Sequence, residues 1–292
     1  MSQVRPISEE VVLRTMEQLD HDLPTIPQVL SQVLYLTSSD KSSCQDLTRV
    51  LNQDQALTAR ILRVANSAFY GLRQKVSTVD RAVVVLGFDL VRSLATSASF
   101  INWFSHLEKH PGFPLNKFWV HATAVGVFAE ILARRTGAAD PADAFTTGIL
   151  HDIGKLVLLV YHGAEFNRVQ KRIEAEQISF YEAEIRELGI THGLVAGLFL
   201  SRQNLPENLV SVVSHHHEPL AAGKEARFAA CVHLADFAAC FLKIGESGSP
   251  YLAPLSKKVL RLLGLTPEAF KELLEEMSTR QDQIWNLLKA LG

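Results

Sequence analysis

His151-Asp152-Ile153-Gly154-Lys155 is the stretch around which this chain has to arrange itself. It follows the apolar run Pro141–Leu150, and adjacent histidine and aspartate side chains cannot share one face of a regular helix. At a helix end, by contrast, both can reach one ion from different sides. An aspartate between two cations also bridges them and balances charge that would otherwise repel. Gly154 permits close approach of a neighbouring element, and Lys155 lies about one turn on, placed to offset phosphate charge. A His-Asp doublet arises by chance in many sequences, so its meaning rests on its partners.

Those partners lie on both sides. His121 sits upstream in the apolar helical segment Asn116–Thr136, within Phe118-Trp119-Val120-His121; taken alone it also fits a hydrogen-bonded core histidine. Asp236 stands among Leu234, Ala235, Phe237 and Ala238. A buried aspartate there needs a cation or several donors. His192 opens a helix as Thr191-His-Gly-Leu-Val-Ala-Gly197, whose small residues allow close packing; a lone histidine in that place would be a surface cap. The run His215-His216-His217 ends another helix, where irregular backbone can turn two rings into one pocket, with a solvated polar end as the alternative. His121, His151, Asp152, His192, two rings of the His215-His216-His217 run, and Asp236 together predict a metal cage. Imidazoles and carboxylates of this kind suit iron, manganese or zinc, and the set is large enough for two divalent ions, iron foremost. His21, His106, His110 and His162 read as surface, and His233 as packing or outer support.

The whole chain speaks for helices. Val29, Leu30, Val33 and Leu34 recur at helical spacing, as do Leu57, Ile61, Leu62 and Ala65. Ser43 to Asp46, Ser77 to Asp80 and Ser179 to Glu182 have the spacing of helix starts, and Thr266-Pro267-Glu268 combines cap, first-turn proline and acid. The expected fold is all-α: an N-terminal helix (1–22), an N-terminal helical subdomain (23–105), a metal-binding helical subdomain (115–243) and two short C-terminal helices (252–292).

At 292 residues and a formal net charge of −2, the chain can bury a sizeable core and lacks the basic balance of a nucleic-acid binder. Arg60, Arg63, Arg73, Lys75, Arg81 and Arg92 read as a solvated face. The three cysteines, Cys44, Cys231 and Cys240, form no paired motif; Cys231 and Cys240 read as buried thiols and offer no thiolate zinc site. Neither a signal peptide nor a run of about eighteen uncharged apolar residues is present, so a cytoplasmic protein without a membrane span is expected.

His121, His151-Asp152 and Asp236 resemble the H…HD…D pattern of the HD superfamily of metal-dependent phosphohydrolases. Leu23-Pro-Thr-Ile-Pro27, Asp54, Asn66-Ser-Ala-Phe-Tyr-Gly71 and Ser77-Thr-Val-Asp-Arg-Ala82 resemble its HDOD subfamily, over about residues 18–215. That resemblance implies a bacterial, all-helical signalling module of a group in which many members have lost the HD ligands. His192 and His216-His217-Glu218 are similar to the ligand set of the HD-GYP group, which splits cyclic dinucleotides at a two-metal centre. The similarity implies that His121, His151 and Asp236 hold one ion, His192, His216 and His217 the other, with Asp152 as bridge and Lys155 facing phosphate. Two features depart from that group: Pro219-Leu220-Ala221 replaces its Gly-Tyr-Pro segment, and Lys117 stands where some members place a glutamate ligand. Two functions follow as expectations. One is hydrolysis of a phosphorylated or nucleotide small molecule, with Asp152 and Lys155 catalytic. The other is a silent regulatory scaffold for a protein signalling partner, its metal structural or redox-sensing.

Overall fold

The computed structural model describes residues 27–38, 42–72, 74–105 and 113–292, together with Glu17. The predicted helix 1–22, Arg73, and His21, His106 and His110 therefore fall outside the described residues, Glu17 excepted. Among the described residues every regular element is helical.

Helices α1 (Gln28–Ser38), α2 (Cys44–Leu51), α3 (Gln55–Ala65), α4 (Val79–Leu86) and α5 (Phe88–Ser105) pack on one another. Local chemistry sets their starts. Ser43 and Asp46 form the reciprocal capping box that their spacing predicts. Asp54 caps α3 by accepting from the Leu57 amide at 2.9 Å. The cap of α4 falls one residue later than expected, because Thr78, not Ser77, takes the extended cap conformation and accepts from the Arg81 amide. Asn66 holds the turn after α3: its side chain accepts from the Val76 amide and donates to the Val76 carbonyl, both at 2.7 Å.

The second half runs through α6 (Leu115–Thr136), α7 (Pro141–Leu150), α8 (Ile153–Tyr161), α9 (Gly163–Glu176), α10 (Phe180–Glu187), α11 (His192–Arg202) and α12 (Glu207–His215). A 3-10 segment, Pro219–Glu225, then leads into α13 (Ala226–Phe241). Helix α6 is the axle. It packs against α7 and α13, is buried on nearly every side from Phe118 to Ala133, and ends at Gly137 in the left-handed region (φ 59°). Helix α8 has no counterpart among the expected helices. Ile153, Leu156, Val157, Leu158 and Leu159 are all buried, and Lys155 is buried with them, so the segment lacks the charged outer face that marks a surface helix.

The C-terminal part forms three helices rather than two: α14 (Lys257–Leu262), α15 (Pro267–Ser278) and α16 (Gln281–Leu291). The break at Thr279-Arg280 occurs without glycine or proline, which is why the sequence does not announce it. Helix α16 packs on α3, α5 and α6, while Ser93 on α5 donates to the Ala142 carbonyl of α7 at 2.8 Å. One apolar core thus extends from Leu30 to Leu291. The stretch Pro141–Tyr161 is long and apolar enough to cross a membrane by length and composition, but 89% of its most apolar window is buried inside the fold.

Candidate metal centre

The seven predicted ligands are delivered from five places in the helical frame. His121 lies in the interior of α6, and Asp236 in α13. His151 and Asp152 fill the break between α7 and α8, where Asp152 leaves helical geometry (φ −99°, ψ 5°) and the two side chains reach one site. His192 is the first residue of α11, fixed by the Thr191 hydroxyl, which accepts from the Leu194 amide. His216 and His217 follow α12. Gly154 makes the assembly sterically possible, because a Cβ there would stand 2.0 Å from the His192 carbonyl oxygen.

The seven residues come together in overlapping groups: His121 with His151 and Asp152, His121 with Asp236 and Cys240, and Asp152 with His192, His216 and His217, so that Asp152 stands between a His121 side and a His192 side. On the His121 side, His121 Nε2 is 3.1 Å from Asp236 Oδ1 and His151 Nε2 is 3.3 Å from Asp152 Oδ2. On the His192 side, His192 Nε2 is 3.0 Å from Asp152 Oδ1, 3.3 Å from His216 Nε2 and 3.1 Å from His217 Nε2. Asp152 turns one oxygen toward each side. These spacings match the edges of a coordination polyhedron. Bonds of about 2.0–2.1 Å put neighbouring ligand atoms about 2.9 Å apart in an octahedron and about 3.3 Å apart in a tetrahedron.

Hydrogen bonding aims the nitrogens inward. The Nδ1 atoms of His151 and His216 donate to the Gly148 and Val213 carbonyls, each at 2.7 Å. His192 Nδ1 donates to Glu184 Oε2 at 2.6 Å, and the His192 amide donates to the same oxygen at 3.0 Å. With Nδ1 protonated, a neutral ring presents an Nε2 lone pair, and several lone pairs then face one another. One proton satisfies one such contact and leaves the rest. His121 Nε2, His151 Nε2 and Asp152 Oδ1 are buried without a hydrogen bond, which is the arrangement a bound cation resolves. The donor set fits divalent metal.

The electrostatics agree. Burial opposes an imidazolium at His151, but Asp152 and Asp236 outweigh it and push the ring up to about 10. Lys155 rises against burial through Asp152, and His192 against burial through Glu184. Asp152 and Asp236 lie well below the usual carboxylate range despite their burial, held there chiefly by His151 and by His121 with His151 respectively. His216 and His217 move the other way, pushed down by burial and then by neighbouring imidazoles. The carboxylates draw positive charge into the centre, onto His151, His192 and Lys155, where a bound cation would displace the ring protons, while burial favours the neutral form of His216 and His217.

Lys155 does not point freely into solvent. Its Nζ donates to Asp152 Oδ2 at 2.6 Å and to the Ser247 carbonyl at 2.9 Å, over the Phe180 ring. A cavity of about 300 Å³ reaches the centre past Lys155, His217 and Asp236, and is walled by Phe180, Tyr181 and the loop that carries Ser247 and Tyr251. That loop is pinned to α6. Gly245 (φ 75°) lies so close that a Cβ would meet the His121 amide nitrogen at 2.3 Å, and the Glu246 amide donates to the Lys117 carbonyl at 3.0 Å. Lys117 pairs with Glu246, away from the ligand nitrogens.

Sequence reasoning missed two participants. Glu184 is fully buried and orients His192; its signal is an acid inside a helix stripe, eight residues before the histidine. Cys240, read as a plain buried thiol, is half-buried, lines the cavity and groups with His121 and Asp236. Its signal is the i, i+4 spacing from Asp236. His233 supports from outside, with Nδ1 donating to the His216 carbonyl at 2.8 Å.

The HDOD domain family model matches residues 23–219. Among solved structures, the chain is similar to an HDOD domain protein from Geobacter sulfurreducens, with 26% identity, coverage of 97% of this chain and 99% of that one, and a TM-score of 0.79. It is similar also to a candidate phosphohydrolase from Shewanella amazonensis SB2B, with 25% identity, coverage of 95% and 98%, and a TM-score of 0.76. An uncharacterized protein of Treponema pallidum (strain Nichols) is 23% identical over 232 residues, 79% of this chain. The chain spans 44% of the length of that relative.

Proposed function

Because this chain belongs to the HDOD domain family, we propose that it is a bacterial signalling protein that holds two divalent ions and hydrolyses a phosphorylated or nucleotide small molecule. The observation that carries the reading is Asp152, whose two oxygens turn toward two separate groups of imidazoles. In this reading His121, His151 and Asp236 hold one ion, His192, His216 and His217 the other, and Asp152 spans them. Iron is the first expectation for both, with manganese and zinc as alternatives. When bound, such a pair supplies an activated water and a clamp for phosphate oxygens. The chain's own residues do the rest. Glu184 holds His192 in one tautomer and Lys155 fixes the Asp152 carboxylate. The Lys155 ammonium also gives the cavity wall positive charge where a phosphate would enter. Phe180, Tyr181 and Tyr251 supply aromatic surface for the organic part of the substrate.

The test is elemental analysis of protein purified without added metal, followed by phosphomonoester and phosphodiester assays against Asp152→Ala. About two ions per chain and turnover that collapses in the variant are expected. Full metal with no turnover over the substrate panel would refute the hydrolase. A second reading would then stand: a silent scaffold whose metal is structural or redox-sensing. It is favoured by burial, since His121, His151, Asp152, His192 and His216 are each at most 1% exposed. Under it, metal removal shifts melting temperature or partner affinity, and an unchanged apo protein excludes it.

A further inference from the structure

We propose that Cys240 is a sulfur ligand of the ion on the His121 and Asp236 side of the centre, so that the two halves of the centre differ in donor chemistry; this rests on the metal-binding reading above. Cys240 follows Asp236 by about one turn of α13, and its Sγ lies 3.5 Å from Asp236 Oδ1. Metal bonds of about 2.3 Å to sulfur and about 2.0 Å to oxygen, opened to a tetrahedral angle, place the two atoms about 3.5 Å apart. Donor atoms of His121, Asp236 and Cys240 all lie within 4.8 Å of one another.

A second observation points to the same place. His121 Nε2 is 1% exposed with no hydrogen-bond partner, and it is aimed at the same Asp236 oxygen from 3.1 Å. The other polar neighbour of the thiol, Ser247 Oγ at 3.6 Å, holds it only loosely. Ligation breaks the S–H bond and forms a sulfur–metal bond. The proton leaves through the cavity that Cys240 lines, and no oxidation state changes. Sulfur in this half selects thiophilic ions such as zinc, cobalt or iron over manganese, while the three-imidazole half lacks that bias.

The experiment loads the 292-residue chain with Co²⁺ alone and reads its electronic absorption. Expected is a sulfur-to-cobalt charge-transfer band in the near ultraviolet that is lost in Cys240→Ser while the visible ligand-field bands and bound cobalt remain. A readout free of any variant accompanies it: cobalt should block alkylation of Cys240, mapped by mass spectrometry, while exposed Cys44 stays reactive. Bound cobalt with no sulfur band, a band that persists in Cys240→Ser, or Cys240 alkylated equally with and without cobalt overturns the assignment and leaves the metal centre standing. Failure to bind cobalt at all overturns both.

Discussion

Glu184→Gln tests whether the centre depends on its outer support. The wild-type carboxylate accepts two hydrogen bonds from His192 through one oxygen, at 2.6 and 3.0 Å, with both side chains fully buried. Glutamine keeps an acceptor and the shape but removes the charge, whereas alanine leaves His192 with two unpaired donors. Losing such a support costs about 10–100-fold in metal affinity. That range corresponds to about 1.4–2.7 kcal/mol. Glutamine should fall near the lower end and alanine at or beyond the upper. Because Glu184 bonds His192, the proposed two-ion arrangement puts the loss on the ion assigned to His192, His216 and His217 and leaves the one assigned to His121, His151 and Asp236 nearly unchanged. Competition with a chromophoric chelator that resolves two binding steps measures this, and melting of the metal-free variants separates a folding defect. Equal weakening of both steps, or no weakening in either variant, would refute the reasoning.

Gly154→Ala should lower both melting temperature and metal affinity. The new Cβ meets backbone, the His192 carbonyl, at 2.0 Å, so α8 and α11 must part, at a cost at or above the usual overpacking range of about 1–3 kcal/mol. An unchanged scanning-calorimetry trace would count against it. Chelation should destabilise the protein. One ion at a hundredfold excess over its Kd adds about 2.7 kcal/mol, so its removal lowers Tm by roughly 4–5 °C in a chain of 292 residues, and identical melts with and without chelator would exclude a bound stabilising ion. Burial lifts the Glu130 carboxyl above its ordinary value of 4.5 although Arg134 works against the shift. A raised acid makes stability greatest below 4.5 and lets it decline as pH climbs through the folded-state value. Urea melts over this range should show a shallower decline in Glu130→Gln, and parallel curves would sink the attribution.

The all-helical fold was legible because α1 and α3 bury one stripe each, and because Ser43, Ser179 and Thr266 mark starts with side-chain chemistry. Helix α8 was illegible for the opposite reason: its single charged residue, Lys155, is buried among apolar neighbours, so no polar face sets the segment apart. The seven ligand candidates could be picked out because histidine and aspartate in apolar sequence are costly without a partner. Glu184 and Cys240 carried no such mark. One sits beside ordinary surface acids of α10, the other resembles any packed thiol, and only the crossing of α10, α11 and α13 near Asp152 reveals their neighbours. Lys155 was placed correctly near the centre, but its ammonium is committed to Asp152 and Ser247, a geometry that spacing alone does not contain.

The break between α7 and α8 has a consequence for biosynthesis. Pro141–Tyr161 is 21 residues long and apolar enough to tempt the membrane-insertion machinery while the chain is still unfolded. Asp152 and Lys155 fall near the middle of that span, where a charged side chain costs about 2.5–3.5 kcal/mol on insertion. Together they oppose lateral escape into lipid by about 5–7 kcal/mol. The residues that gather charge in the finished protein therefore also guard the nascent one. A descendant that replaced the pair with apolar side chains would lose that guard along with its ions, and would need a new polar interruption to keep the segment out of the bilayer.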